Sequence, residues 1–361
     1  MKIFANNPGA TTTKIALFED CEELWTETVT YSQQQLACFK DWAEEEELRY
    51  SDVVKTLGAH GVKLSDIDAF VGRGGLLHPL ASGTWIVNDA MIEDLRSNKY
   101  GAHASSLGAV LALRLARESG DKPAYIVDPV CVDEMSDIAH ISGIPDIPRV
   151  PVFHALNQRA VGYRVAKQMG KELKECKFII AHMGGGVTVG AHYLGRVIDV
   201  NNAICGYGPF TPERSGTVHI MEVVKRCYSG KFTYEQMKKY IMGGAGLTAH
   251  LGTSDFRKVM EMVEGGDAKA KLVVDAMAYQ VACEIGSRSV AMKGEVDAVI
   301  LTGGLAHSKY LCDKIKEHVS WLAPVVCCPG EDELRALCEG VFRVLSGKEA
   351  AKEYEKESAF D

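Results

Sequence analysis

Ile3–Phe18 reads IFANNPGATTTKIALF, and Ile179–Leu194 reads IIAHMGGGVTVGAHYL. The two stretches overlay without a gap. Each is an apolar run, then a glycine-containing turn with small or hydroxyl residues, then an alternating run, which is the pattern of a β-hairpin with a Gly-rich bend. Farther along, DAFVGRGG at Asp68–Gly75 overlays DAVILTGG at Asp297–Gly304, in the same order relative to its hairpin. Two matches in register and in order predict a duplicated α/β unit.

Between these markers the periodicity turns helical. A small-residue stretch from Asn98 through Ala116, and apolar residues at i, i+3, i+4 spacing in Phe153–Met169 and Ala268–Met292, predict helices. Short strands are expected at Ala124–Val127 and Pro324–Cys327, each closing its half. Strands alternating with helices imply sheets covered by helices. The chain's 361 residues exceed what one hydrophobic core usually serves. The boundary is expected near Arg149–Phe153, because Pro145, Pro148 and Pro151 cluster there before a helix start. This gives a first domain at 1–150, a second at 151–330 and a helical segment at 331–361 that crosses back to the first. The acidic run Glu44–Glu47 and the mixed charges of Lys348–Glu357 are expected to be solvated helix faces.

Composition narrows the function. Forty Lys and Arg against 48 Asp and Glu leave a net charge of -8, the wrong sign for a protein that tracks a phosphate backbone, so no nucleic-acid partner is expected. No apolar stretch approaches the ~20 residues of a membrane span. Asn6, Asn7 and a Thr cluster stand where a signal peptide would carry its apolar core, so a cytoplasmic location is expected. Eleven cysteines without a C-x-x-C pair suit neither a disulfide framework nor a zinc site, and are expected to be reduced apolar fillers.

The turns themselves suggest anion binding. Glycine lets backbone N–H groups approach an anion, and Asn7, Gly9, Thr11, Thr12 and Lys14 add amide, hydroxyl and ammonium donors. Gly184, Gly185 and Gly186 form a second turn without a charged member. Gly303-Gly304 leads into a helix starting at about Ser308, where free N–H groups favour negative charge. Neither the dinucleotide G-x-G-x-x-G nor the P-loop pattern is present.

NPGATTTK at Asn7–Lys14 and HMGGGVTVGAHYLG at His182–Gly195 resemble the two signatures of the acetate and butyrate kinase family. VGRGGLLHPLASGTW, IVDPVCVDEM, FHALNQRAVGYR, TPERSGT and LTGGLAHS resemble its butyrate branch, in order, so the resemblance runs from Met1 to about Gly347. Two positions depart from it: Asn6 replaces an apolar strand residue, and Ala10 replaces a Ser or Thr. The family is similar in fold to sugar kinases, Hsp70 and actin. The resemblance therefore implies two duplicated ribonuclease H-like domains with mixed five-stranded sheets flanked by helices, of the actin-like ATPase superfamily, closing on a nucleotide.

The activity it implies is reversible transfer of the ATP γ-phosphoryl group to butyrate, giving butyryl phosphate and ADP, with Mg²⁺ accompanying the nucleotide and ATP formation as the cellular direction. A branched-chain or other short-chain fatty acid kinase is the near alternative; a nucleotide-gated binding protein of the actin or Hsp70 kind is the remote one. The implied catalytic residues are Arg73, Asp128, His154 and Arg214. His182, the glycines of the second turn and Gly303-Gly304 would join the first turn in holding nucleotide and phosphates. Glu333, with Glu331 or Asp332 as substitutes, would face the metal. A homodimer or larger homo-oligomer is the family's habit.

Overall fold

The computed structural model describes residues 1–37, 42–101 and 103–356. Two compact units divide the chain: Met1–Asp133 with Asp332–Asp361, and Glu134–Glu331. The division lies ahead of the prolines at 145–151. Glu134 already accepts a hydrogen bond from the Val197 amide at 3.1 Å, and the Ser136 amide donates to the Ile198 carbonyl at 3.0 Å, so this stretch is tied to the second unit.

The first unit holds strands β1 (Lys2–Pro8), β2 (Thr12–Glu19), β3 (Glu22–Thr30), β4 (Ala69–Gly72), β5 (Thr84–Ile86), β6 (Ala124–Val127) and β12 (Lys352–Glu353). The second holds β7 (Lys177–Met183), β8 (Val187–Tyr193), β9 (Arg196–Val200), β10 (Ala298–Gly303) and β11 (Val325–Pro329). The order β6-β4-β1-β2-β3 in one sheet matches β11-β10-β7-β8-β9 in the other. In both, the first three strands run parallel and the last two turn back antiparallel. The duplication is therefore one of topology and direction. The first sheet has seven strands instead of five, because β5 and β12 extend it beyond β6.

The hairpins do not keep the gapless overlay. Asn7 pairs with Lys14, seven residues on, whereas Met183 pairs with Val187, four residues on. The second turn closes more tightly, and Thr188 is not the counterpart of Thr12.

Each sheet is buried on both faces, which is why its parallel strands are continuously apolar. In β7 and β10, Ile179, Ala181, Val299 and Leu301 face one core, which includes helix Ala268–Ser289. Their neighbours Phe178, Ile180, Ala298 and Ile300 face the other, with Val161 and Val165 of helix Ala155–Gln168. In the first unit Phe4, Ile15, Leu17, Phe70 and Ile126 pack with residues of helices Trp42–Ala59 and Ser106–Glu118. Gly340 of helix Glu333–Leu345 approaches β6 so closely that a Cβ there would lie 2.5 Å from Val127.

Three local expectations change. The helix of the Asn98–Ala116 stretch spans Ser106–Glu118, and Asn98 instead caps helix Asp89–Ser97 in a left-handed conformation. The acidic run is not simply solvated: Glu45 pairs with the buried Arg49 at 2.7 Å, and Glu46, itself buried, with Arg96 at 2.8 Å. The charged tail is not helical. Gly347 takes φ of 72° just past the helix, and the buried Tyr354 then donates to Asp94 at 2.7 Å, fixing an extended segment; Glu357 lies outside the described residues. Among the described cysteines none forms a disulfide, but Cys205, Cys227 and Cys283 are exposed, so the filler reading fails for them. No helix among the described residues is long and apolar enough to cross a membrane.

Candidate active site

Parallel strands deliver their C-terminal ends to one edge of a sheet, the usual place for ligand groups in open α/β sheets. In the first unit those ends carry Asn7 in β1, Arg73 directly after β4 and Asp128 directly after β6. Helix Ser106–Glu118 begins against this edge. A Cβ on Gly72 would lie 1.9 Å from the Gly108 carbonyl, and one on Gly108 would lie 2.6 Å from the Arg73 amide, so glycine at both positions is what lets the helix start beside Arg73.

Arg73 forms an ion pair with Glu333, and the Asn7 amide donates to the other oxygen of the same carboxylate. The Arg73 and Glu333 side chains are 18% and 19% exposed, shielded enough to interact strongly yet open to a ligand. Of the three acids in the GEDEL stretch, this is the one held by first-unit site groups. Asp332 caps its own helix through the Arg335 amide at 3.2 Å, and Glu331 lies 3.4 Å from His182 in the second unit. Asp128 is buried, with φ of 40°, and its carboxylate accepts the Gly83 amide at 2.7 Å.

The first turn is braced from behind by a residue with no motif to mark it. Arg49 is fully buried and donates to the Gly9 carbonyl at 2.9 Å, the Thr12 carbonyl at 3.0 Å and the Thr13 hydroxyl at 2.8 Å. Its partner is Glu45, and its guanidinium lies 4.7 Å from the Tyr31 ring centroid. With those two carbonyls engaged from the protein side, Gly9–Thr12 has a fixed shape. Thr11 and Lys14 are exposed, Thr12 is half-buried, and Lys14 is the cross-strand partner of Asn7, which puts the two side chains on the same face. Asn6 is fully buried; its amide donates to the Val71 carbonyl at 3.1 Å and its Oδ1 has no partner. His103, ahead of helix Ser106–Glu118, contacts the Ser105 hydroxyl at 2.7 Å, and burial, then the charge of Arg73, push its pKa down.

In the second unit the same three strand ends hold His182-Met183 (β7), Gly303 (β10) and Gly330 (β11). Gly303 has φ of 88°, and a Cβ there would lie 2.4 Å from the Met183 carbonyl. Its amide and that of Gly330 donate to each other's carbonyls at 3.1 and 3.0 Å. Gly304 opens a single 3₁₀ turn, after which Ser308 caps helix Lys309–Val319. His154 precedes helix Ala155–Gln168, and its ring stacks on that of His182 with centroids 3.8 Å apart.

Arg214 reaches the turn Gly184–Gly186 through its loop. Thr211 donates its hydroxyl to the Gly185 carbonyl at 2.7 Å and accepts the Arg214 amide at 3.0 Å. The guanidinium donates to the Ala203 carbonyl; burial lowers its pKa, with Glu213 opposing. A Cβ on Gly186 would lie 2.6 Å from Arg214 Nη1 and 3.4 Å from His154 Cε1. Arginine, histidine and glycine turn thus converge on one point.

Residues 149–322 match the model of the Acetokinase family. The matched span takes in His154, His182, the second turn, Arg214 and Gly303-Gly304. The whole chain is also similar in fold to solved kinases. An acetate kinase from Porphyromonas gingivalis superposes with a TM-score of 0.80 at 18% identity, covering 95% of this chain and 99% of that one. A propionate kinase from Francisella tularensis gives 0.72 at 16% identity over 94% and 98%. A ROK hexokinase from Thermus thermophilus gives 0.50 at 15% identity over 94% and 98%. At these identities the likeness is one of fold alone.

Four residues escaped the sequence reading: Arg49, His103, Gln158 and His192. Arg49 sits mid-helix with nothing to distinguish it, although the acid four residues before it was a usable signal. Gln158 lies inside the FHALNQ motif, one turn after His154, and its position was the signal.

Proposed function

We propose that the chain is a short-chain carboxylate kinase with butyrate as its acid, moving the γ-phosphoryl group of ATP to the carboxylate and, in the cell, running toward ATP from butyryl phosphate. The observation that carries this reading is the approach of Arg214 and His154 to Gly186, inside the span that matches the Acetokinase family.

A fatty-acid carboxyl, with a pKa of roughly 4–5, is already ionised at neutral pH, so no base is needed to create the nucleophile. The difficulty is electrostatic. An anion must approach an anionic triphosphate, and catalysis reduces to alignment and neutralisation of the equatorial oxygens. The planar fork of Arg73 suits a carboxylate and that of Arg214 a transferring phosphoryl group. Asn7, Gly9, Thr11, Thr12 and Lys14 would hold phosphate oxygens in the first unit, and His182, Gly184–Gly186 and Gly303-Gly304 the nucleotide in the second. Asp128, already accepting a backbone amide, orients groups and removes no proton.

Among the described residues no group of three His, Cys, Asp or Glu side chains could hold a metal ion. One carboxylate suffices for Mg²⁺ that arrives on phosphates with its waters, and Glu333 fits that part. Such an ion neutralises phosphate charge. Propionate and acetate kinases among the fold relatives favour a short acid, and a pocket changed by one methylene discriminates by only about 1–3 kcal/mol, so isobutyrate and valerate are the near competitors. We place the enzyme in the cytoplasm, as a homodimer or larger homo-oligomer.

An acyl-hydroxamate assay with ATP, Mg²⁺ and acids from acetate to hexanoate, isobutyrate included, tests the reading. The highest kcat/KM is expected for butyrate. ATP hydrolysis that no acid accelerates would sink it in favour of a nucleotide-gated binding protein.

A further inference from the structure

Behind the second turn, a chain of buried polar groups that the reaction above does not use leads to the half-buried His154. His154 Nδ1 lies 2.9 Å from the Thr188 hydroxyl. The Gln158 amide nitrogen lies 2.9 Å from the same hydroxyl and 3.1 Å from the Thr188 main-chain carbonyl. Gln158 Oε1 lies 2.8 Å from His192 Nε2. Thr188, Gln158 and His192 are all fully buried.

The spacing of the elements explains the alignment. His154 and Gln158 are one helical turn apart, and Thr188, Gly190 and His192 alternate along one face of β8. Gly190 sits between them in the strand interior, where glycine is unfavourable. A Cβ there would lie 2.5 Å from Gln158 Oε1 and 3.2 Å from His192 Nε2, so its place is explained by the contact it leaves room for.

We propose that His192, Gln158 and Thr188 act as positioning residues that fix the neutral His154 as its Nε2–H tautomer, so that it meets the transferred phosphoryl group as an N–H donor. The logic starts at the Thr188 carbonyl, which can only accept, so the Gln158 NH₂ must face it and Oε1 must face His192. His192 then donates from Nε2, and its Nδ1, which has no partner, carries no proton. Burial, and then the charge of Arg159, push the His192 pKa down to about 3, so this ring stays neutral at working pH. Gln158 spends its second N–H on the Thr188 hydroxyl. That hydroxyl directs its own proton to His154 Nδ1, and the ring proton of His154 is left on Nε2. A hydrogen bond to one ring nitrogen selects the proton state of the other.

This rests on the reading of His154 as a catalytic residue of the proposed kinase, but its test does not need turnover. Long-range ¹H–¹⁵N spectra of ¹⁵N-histidine-labelled protein, with His154 assigned from His154→Gln, report the tautomer directly. The Nε2–H pattern is expected in the unaltered chain. Thr188→Val keeps the shape and removes the hydroxyl; His154 should then lose its single-tautomer pattern, and kcat should fall about 10- to 100-fold, the range for loss of a hydrogen-bond partner that orients a site histidine, with both KM values within about twofold. Thr188→Ser should restore the pattern and most of kcat, which a purely structural role of the residue would not require. An Nδ1–H pattern in the unaltered chain, or an unchanged one in Thr188→Val, overturns the proposal. A correct tautomer in a protein that phosphorylates no acid would instead overturn the kinase reading.

Discussion

The two units share a five-strand scaffold and use the same three strand ends, yet they stabilise their glycine turns by opposite means. The first turn is braced by a buried cation, Arg49, and its strand ends carry a second ion pair, Arg73 with Glu333. The second turn is braced by neutral groups: Thr211 on the Gly185 carbonyl, and the His154, Thr188, Gln158 and His192 chain behind it. Under the proposed function, charge suits the first unit, where Arg73 would meet the carboxylate and Glu333 the Mg²⁺. Under the same proposal, the neutral bracing of the second turn leaves Arg214 to supply the charge for the transferring phosphoryl group. A shared topology thus fixes where side chains emerge and leaves their chemistry open.

The sharpest way to break this contrast is to remove the two guanidinium groups. Arg73→Ala and Arg214→Ala should each lower kcat by about 10²–10³, the loss typical of one donor to transition-state charge. Unchanged acyl-phosphate formation in either variant would remove that residue from the chemistry.

Next comes stability. Arg49→Ala leaves Glu45, two part-buried carbonyls and the buried Thr13 hydroxyl without their cation and should cost about 3–5 kcal/mol in urea unfolding. Gln158→Leu, which cuts only neutral bonds, should cost about 1–3 kcal/mol. Equal losses would mean that the two turns are braced alike. Acid should expose the other side of the comparison. His192 has its pKa pushed down to about 3 by burial, so the unfolded chain, with an ordinary histidine near 6.5, binds the extra proton between those values. Stability is therefore full above pH 6.5 and falls as pH drops toward 3, by about 2 kcal/mol at pH 5 from this group. His192→Gln should flatten that acid limb in thermal scans; an unaltered limb would assign it elsewhere. The smallest effect is expected at Ala10, which is exposed on the first turn. Ala10→Ser restores a hydroxyl worth about 1 kcal/mol to a bound phosphate, and the KM for ATP should fall about fivefold. No change would place that edge of the turn outside the phosphate site.

Much of this was legible in the amino-acid order. The repeated runs around NPGATTTK and HMGGGVTVG announced two hairpins, because an apolar strand ending in glycines keeps its signature at any location in a fold. The strand-end positions of Asn7 and His182 followed from the same runs, that of Arg73 from DAFVGRGG, and that of Asp128 from the short strand Ala124–Val127 before it. The spacing of the turns was not legible: glycine tolerates several turn lengths, and only the ladders show that Met183 meets Val187 while Asn7 meets Lys14. Nor was β12, whose two residues gain their place from Tyr354 and Asp94 rather than from strand propensity. Arg49 and His192 were missed for one reason. Apart from Glu45 beside Arg49, the partners that define these buried polar residues are distant in sequence, and neither periodicity nor composition contains them. Glu333 could be singled out from its two acidic neighbours only once Asn7 and Arg73 were seen to meet on it.

Helix Glu333–Leu345 packs within a unit whose other strands are nearly all complete by Asp133. On a ribosome adding 5–20 residues each second, the intervening stretch takes about 10–40 s to emerge. Throughout that wait the first sheet has one bare face, and Arg73 has no counter-ion. The maturation of the amino-terminal half is therefore timed by the emergence of helix Glu333–Leu345.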